Sequence, residues 1–297
     1  MTAPYFSIVT PSWNQAAYLG KCLTSVAVQG DSDYEHLVFD NCSDDGSAEI
    51  AEGYPGVQLL VERDRGQSHA VNKGFEAAKG EIVCWLNTDD EYERGTFKTL
   101  RAIFENPGID VVFGDVRQIS YDGGDEVIAA GRFESRLDLV RWWSGDVKLH
   151  QPAVFFRRSV QRDTGFLRED LHYAMDYEFW WRMSERHRFH YRQSVLAIQH
   201  RQPDSKTVRA WERVLEERER IFGGLGHLAA DRSAAQMKNE RRLAMSKYYL
   251  TRAYGEAESS PSAAWKSFVA AAGEQAGYAL HPRSLGLVRR LLGGAKR

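Results

Sequence analysis

The chain has 297 residues, enough to bury a full core as one large domain or two small ones. Its 39 Lys and Arg stand against 41 Asp and Glu, a formal net charge of −2, so no overall field favours a nucleic-acid partner and any preference for an anionic surface must be local. Cys22, Cys42 and Cys84 are scattered and lack CxxC spacing, which speaks against a disulfide scaffold or zinc knuckle and for a reducing, cytoplasmic compartment. The N-terminus enters an apolar run without the basic region and apolar stretch of a signal peptide. No apolar segment of about 18 residues predicts a membrane span.

The first half alternates short β-branched runs with helical periodicity, the pattern of a parallel sheet covered by crossover helices. Residues 6–10 read as the first strand, stopped by Pro11, and 16–29 as a helix with Leu19, Leu23 and Val26 on one face. Residues 36–40 form the second strand, a turn over 41–46 leads into a helix opened by Ser47, and 57–61 are the third strand. A helix over 70–79 stops at Gly80, and 81–86 is a fourth, buried strand with acidic residues at its carboxyl end. Residues 94–105 read as helix and 111–115 as strand, followed by a polar hairpin around Asp122, Gly123 and Gly124.

From about residue 209 the texture changes to charged, Ala-rich helix, with opposite charges at helical spacing over 212–220. Residues 255–261 suggest a linker, and 264–279 and 285–292 read as amphipathic helices separated by His281 and Pro282. The tail carries Arg283, Arg289, Arg290, Lys296 and Arg297 beside Leu285, Leu287, Val288, Leu291 and Leu292. That combination suits the inner face of the cytoplasmic membrane, as a peripheral attachment. Packing on the catalytic domain, or on a second copy in a homodimer, is the alternative.

In open α/β sheets ligands bind outside the carboxyl ends of the strands, so polar residues there are the functional candidates. After the first strand come Thr10, Pro11, Ser12, Trp13 and Asn14, where a ring lies beside hydrogen-bonding groups and could floor a flat base. After the second come Asp40, Ser43 and Asp45; Asp40 can accept from an imide N–H or a ribose hydroxyl. Turns with Asx-type capping are the plainer account of both. Asp64, Arg65, Gly66 and Gln67 lead to Asn72, Lys73 and Gly74, basic groups near a helix start where phosphate charge could be offset, unless Lys73 is a solvated helix residue.

The richest strand end is Trp85-Leu86-Asn87-Thr88-Asp89-Asp90. Hard cations such as Mg²⁺ and Mn²⁺ take oxygen ligands and keep positions for substrate phosphates. Asn87 and Asp89 can therefore hold a metal bridging a diphosphate; otherwise Asn87 and Asp90 cap the next helix. Further on, His150-Gln151-Pro152 precedes Tyr173 and Asp176, a carboxylate opening a helix whose Phe179, Trp180 and Met183 face the core. A carboxylate there, walled by aromatics, is placed for general base work, with Glu178 the weaker candidate. An N-cap role for Asp176 would not exclude it.

In this order the motifs resemble the family 2 glycosyltransferases, whose nucleotide-binding fold is called GT-A. The resemblance covers roughly residues 6–207 and looks closest to a bacterial subgroup with a Trp-Leu-Asn-Ser-Asp-Asp strand end, Thr88 standing in the serine position; Gly114-Asp115 and His150-Gln151-Pro152 are similar too. It implies a Rossmann-like, mostly parallel sheet flanked by helices. The catalytic domain would span 1–208, with a nucleotide-sugar half to about 115 and an acceptor half over 116–208, and a helical extension with the basic tail would follow over 209–297. It also implies an inverting transfer from a nucleoside diphosphate sugar, a UDP-sugar above all, to a hydroxyl of a glycan or lipid-linked acceptor in cell-envelope polysaccharide synthesis, with Mn²⁺ or Mg²⁺ as cofactor.

Position by position, Thr10, Ser12, Trp13 and Asp40 match the nucleoside contacts, and Asp64, Arg65 and Asn72 the loop and helix beside ribose and diphosphate. Asn87-Thr88-Asp89 corresponds to the metal-binding Asp-x-Asp signature with Asn first. Asp176 matches the base of inverting members, preceded by Met175 where an acid is usual. His150, Gln151, Tyr173 and Asp90 are expected on the acceptor or sugar side. Relatives carry a metal-facing histidine where this chain has Gln202, before Ser205-Lys206-Thr207; His200 is then either a substitute ligand or a plain strand-end residue. Asn87 and Met175 each replace a carboxylate, so the rival function is a nucleotide-sugar-binding protein without transferase activity. A dinucleotide oxidoreductase is disfavoured because no G-x-G-x-x-G turn follows the first strand.

Overall fold

The computed structural model describes residues 3–133, 136–140 and 148–202, then 213, 214, 216–218, 220, 221, 242, 243, 245, 246, 249, 250, 253, 254, 256, 257, 260–274 and 286–288. They fall into two compact units, Met1–Leu139 with Asp146–Glu219, and Val140–Gly145 with Arg220–Arg297. The first unit thus runs past residue 208.

The first unit is built on a nine-stranded sheet. One half is parallel: β1 (Phe6–Ser12) lies between β2 (Tyr34–Asp40) and β4 (Ile82–Trp85), and β3 (Val57–Val61) flanks β2. The crossovers are α1 (Ala16–Ala27), α2 (Ser47–Glu52) and α3 (Gln67–Ala77). Beyond β4 the pairing changes. β8 (Val154–Arg157) is antiparallel both to β4 and to β6 (Val111–Ser120), while β9 (Phe189–Arg201) runs parallel to β6. The short β5 (Asp90–Tyr92) adds antiparallel to β9, and β7 (Asp125–Ile128) closes a hairpin on β6. The sheet is therefore mixed, its parallel part being the crossover-connected half that the alternating sequence pattern predicts.

The differences from expectation have local causes. Pro11 does not stop β1, which pairs with β2 through Ser12 but with β4 only through Val9. The Val9 carbonyl accepts from Leu86 on the β4 side and the Ser12 carbonyl from Asn41 on the β2 side. By alternation the Pro11 nitrogen faces β4 where pairing has ended, so its missing N–H removes no ladder bond. α3 begins at Gln67, earlier than periodicity suggests, because the first turn is polar. Residues 90–92 are strand, not a helix cap; the helix α4 (Thr96–Phe104) starts after them.

Two aromatic layers sandwich β8. Phe155 joins the core of Phe6, Ile8, Cys84, Phe97 and Val112 beneath α1 and α4, with Phe6 stacked on Phe97 at 4.4 Å. Phe156 points the opposite way, to Phe75 of α3 (5.7 Å) and to Phe179 of α7 (Met175–Met183; 6.0 Å), as strand alternation requires. Each such ring contributes about 1.5–3 kcal/mol by burial. α3 presses on β1 so closely that a Cβ on Gly74 would lie 2.1 Å from a Val9 methyl carbon. At Gly114 a Cβ would meet Leu196 at 2.6 Å, beside the register shifts where β6 passes β9. The bulge turns Asp115 inward, where Oδ1 accepts from the Ala130 amide (2.9 Å) and the Tyr191 hydroxyl (2.7 Å).

In the second unit α8 (Pro261–Glu274) packs Ala271 with Leu250, Ala253 and Leu287, while Trp265 and Val269 stay exposed. Pro261 opens that helix instead of closing a linker, a first-turn position that needs no N–H. Residues 275–285, most of the basic tail and the Ser205-Lys206-Thr207 motif lie outside the described residues. Among the described residues no helix is long and apolar enough to cross a membrane.

Candidate active site

The loops at the carboxyl ends of β1, β2 and β3 are tied together side chain to backbone. Asp40, buried at the end of β2, accepts from Ser12 Oγ (2.9 Å) and Ser43 Oγ (2.7 Å) on Oδ2 and from the Ser43 amide (2.7 Å) on Oδ1. Ser43 Oγ also accepts from the amide of Asn14 (2.8 Å), whose φ is 52° and whose Oδ1 takes the Asp44 amide (3.1 Å). Asn41 Oδ1 then accepts from the Asp64 amide (2.9 Å), and Asp64 Oδ1 from the Gly66 amide (2.7 Å) at the start of α3. Trp13 stands 62% exposed beside this network and Pro11 is half-buried. Thr10 does not join them: it is fully buried, its hydroxyl 2.9 Å from His36 Nε2. Burial pushes that imidazole down to about 3, so it is neutral.

Two residues assigned to the diphosphate side serve the framework instead. Asn72 is buried and bonded both ways to the backbone of Leu167 (3.0 and 2.8 Å). Lys73 bonds Glu62 (2.9 Å) and the Arg63 carbonyl (3.1 Å). Arg65, exposed in the loop before α3, forks onto Glu169 Oε2 (3.0 and 2.7 Å).

At the end of β4, Asn87 Oδ1 accepts from Gln67 Nε2 (2.8 Å) and Trp85 Nε1 (2.9 Å), while its Nδ2 donates to Gln151 Oε1 (2.9 Å). The indole N–H is donor-only, which fixes the amide orientation and uses both lone pairs of Oδ1. The carbonyl oxygen of Asn87 is thus engaged by protein donors, away from metal ligation. Gln151 is buried and also donates to the Trp85 carbonyl. Thr88 Oγ1 donates to Gln15 (3.3 Å). Asp89 is half-buried. Asp90 is 3% exposed, strand-paired with β9, and its carboxyl is pushed well up by burial, then by the charge of Asp89; inward alternation in β5 withdraws it from the acceptor contact expected of it.

His200 Nε2 lies 2.7 Å from Glu91, a bond that a metal would have to replace. His150 is pushed down to about 4 by burial, and its buried Nε2 has no hydrogen-bond partner among the described residues. Among the described residues no three His, Cys, Asp or Glu side chains form a cation cage. One half-buried carboxylate, Asp89, fits the manner of Mg²⁺ and Mn²⁺, which take one or two carboxylates and complete their shell from phosphate and water.

A family model, glycosyl transferase family 2, matches residues 7–164. The chain belongs to that family. Its match spans β1 through α6 (Arg158–Thr164) and so contains all three stitched loops and the β4 end. A family relative, the PGL/p-HBAD biosynthesis glycosyltransferase of Mycobacterium bovis, is 35% identical over 167 residues, 54% of this chain and 62% of its own length. The chain therefore aligns with under two thirds of that relative. Among solved structures, Staphylococcus aureus TarS residues 1–349 with UDP-GlcNAc superposes with a TM-score of 0.67 at 18% identity, covering 97% of this chain and 81% of that one. The Pyrobaculum calidifontis mannosyltransferase PcManGT with GDP-Man and Mn²⁺ gives 0.59 at 19% identity over 99% and 80%. At such identities these likenesses establish the GT-A fold.

Outside the matched span, the chain carries Asp176 in the first turn of α7. The carboxyl is half-buried, and its Oδ1 accepts from the Tyr177 amide (2.7 Å). Burial raises its pKa, with that hydrogen bond and the charge of Arg218 pulling the other way. Glu178 is committed to Arg182 through bonds of 2.8 and 3.0 Å, which removes it as a competing base. The segment before α7 is pinned to α3 and the loop before it through Asn72, through Arg65–Glu169, and through Ser68 Oγ to the Leu171 carbonyl (3.2 Å). Tyr173 has its hydroxyl 3.4 Å from Arg213. Sequence reasoning missed Gln15, Asn41, Glu169 and Glu217; only their position in space marks them.

Proposed function

We propose that the chain is an inverting glycosyltransferase that moves a sugar from a nucleoside diphosphate sugar, a UDP-sugar in the first instance, to a hydroxyl of a cell-envelope glycan or lipid-linked acceptor. The observation that carries this reading is Asp176: a carboxyl with raised proton affinity at the start of a helix whose lead-in segment is fastened to α3. Asp176 takes the acceptor proton, the acceptor oxygen forms a bond to the anomeric carbon, and the bond from that carbon to the diphosphate oxygen breaks. The loop network around Asp40 and the Trp13 ring bind the nucleoside. Asp89 would hold Mg²⁺ or Mn²⁺, which supplies charge neutralisation for the diphosphate. Asn87 organises that strand end by joining Gln67, Trp85 and Gln151.

Similar proteins support the donor class and the setting: TarS was solved with UDP-GlcNAc and PcManGT with GDP-Man and Mn²⁺. Curated relatives serve PGL/p-HBAD and, provisionally, teichuronic acid biosynthesis. The test is hydrolysis and transfer across UDP-GlcNAc, UDP-glucose, UDP-galactose and GDP-mannose, with Mn²⁺ and with EDTA. Metal-dependent release of UDP from at least one UDP-sugar is expected. Binding of UDP-sugars without any turnover would instead support a nucleotide-sugar-binding protein.

A further inference from the structure

Glu217 lies in helical sequence beyond the span matched by the family, in a run of alternating charges that reads from sequence as a solvated helix face. Its carboxylate is instead 7% exposed and takes successive backbone donors: the amide of His172 on Oε1 (2.7 Å) and those of Tyr173 (2.7 Å) and Ala174 (2.9 Å) on Oε2. These N–H groups immediately precede α7, and the Ala174 carbonyl accepts the Glu178 amide inside its first turn. No local side chain caps this helix, and Glu217, more than forty residues away, holds instead the amide of its N-cap residue Ala174 and those of the two residues before it. The next residue, Arg218, places its guanidinium 5.2 Å from the Tyr177 ring centroid, and its charge acts on Asp176. One helical turn thus grips both flanks of Asp176.

We propose that Glu217 is a positioning residue for sugar transfer: by holding the amides of His172, Tyr173 and Ala174 it sets the first turn of α7 and thereby the direction in which Asp176 presents its carboxyl. Charge-assisted bonds to consecutive N–H groups are strong and directional, and without them the segment that leads into α7 loses the acceptor of three successive amides. The catalytic unit is therefore completed by sequence beyond residue 208, and the helical piece containing Glu217 is part of the acceptor side. The inference rests on Asp176 being the base.

The full chain is tested as Glu217→Ala and Glu217→Gln, each alone and combined with Asp176→Asn. The readouts are kcat with the nucleotide sugar turned over in the panel above, the Kd of UDP by calorimetry, and amide hydrogen exchange over 172–176. Glu217→Ala is expected to lower kcat about 10- to 100-fold, to leave the UDP Kd within about twofold, and to speed exchange at 172–174. In the Asp176→Asn background the same change should have no further effect, because it acts through that carboxyl. Glu217→Gln keeps the shape and one carbonyl oxygen, so it should fall between and serves where the Ala variant does not fold. An unchanged kcat in a folded variant overturns the proposal, as does an equal further loss in the Asp176→Asn background or a UDP affinity that falls by the same factor. Full activity in Asp176→Asn alone would instead remove the base assignment, a different failure.

Discussion

Asp40 and Asp176 are both aspartates at the ends of elements, and their surroundings are opposite. Asp40 is saturated, with hydroxyl and amide donors on both oxygens that also tie the β1 and β2 loops together. Asp176 has its own helix turn for hydrogen bonds, and burial raises its proton affinity. A carboxylate with donors on both oxygens holds its loops in one arrangement, which suits recognition. A carboxyl poorly compensated for its burial holds a proton more tightly, which suits proton transfer. On the proposed function, the half built on β1 to β4 is a stitched framework for the donor, and the part carrying α7 supplies the reactive group.

The sharpest way to break this contrast is to make the two carboxylates neutral in turn. Asp176→Asn should lower kcat by about 10²- to 10⁴-fold while the UDP Kd holds; near-full turnover by the folded variant would erase the distinction. The wild-type kcat should also fall on acidification through a pKa above the ordinary aspartate range, because the base is lost when the raised carboxyl protonates. Asp40→Asn should do the reverse, weakening UDP by about 10- to 100-fold, or ~1–3 kcal/mol for donors left facing an NH₂ group, with a smaller change in kcat. Equal kcat and Kd effects at both positions would mean that one network serves both tasks. Asn87→Ala should fall between the two in character: it strands the Trp85 and Gln67 donors and the Gln151 acceptor, lowering stability by ~1–3 kcal/mol in urea titration and slowing transfer.

Local patterns made the donor half readable. The alternation of apolar runs and helices predicts β1 to β4, and Asp40, Asp64 and Asn87 stand where strand ends should carry polar groups. The rest depends on contacts distant in sequence. Asn72 and Lys73 look like phosphate ligands until Leu167 and Glu62 occupy them. Asp90 looks exposed until β9 covers it. β5 is too short to carry a period, and β8 is a buried strand of four residues in which each face is fixed by partners that sequence does not name. Glu217 has the composition of a surface helix and the environment of a core residue.

The last and smallest test concerns the buried titratable group beneath the donor site. His36 is neutral because burial holds its pKa near 3, against an ordinary value of 6.5, and its Nε2 meets the Thr10 hydroxyl. The folded pKa is depressed, so unfolded chains bind more protons between the two values. The stability contributed by the neutral ring is complete above about pH 6.5 and is lost as pH falls toward 3. His36→Gln keeps a polar group near Thr10 but does not titrate. It should cost about 1 kcal/mol at pH 7, and in urea titrations that deficit should shrink at pH 6 and reverse at pH 5 and 4, where the wild type alone is destabilised by keeping the ring neutral. A deficit that stays constant over this range would mean that His36 titrates in the folded protein as it does in the unfolded chain, so that below about pH 6.5 the floor under Thr10 gains a charge which a bound nucleotide would sense.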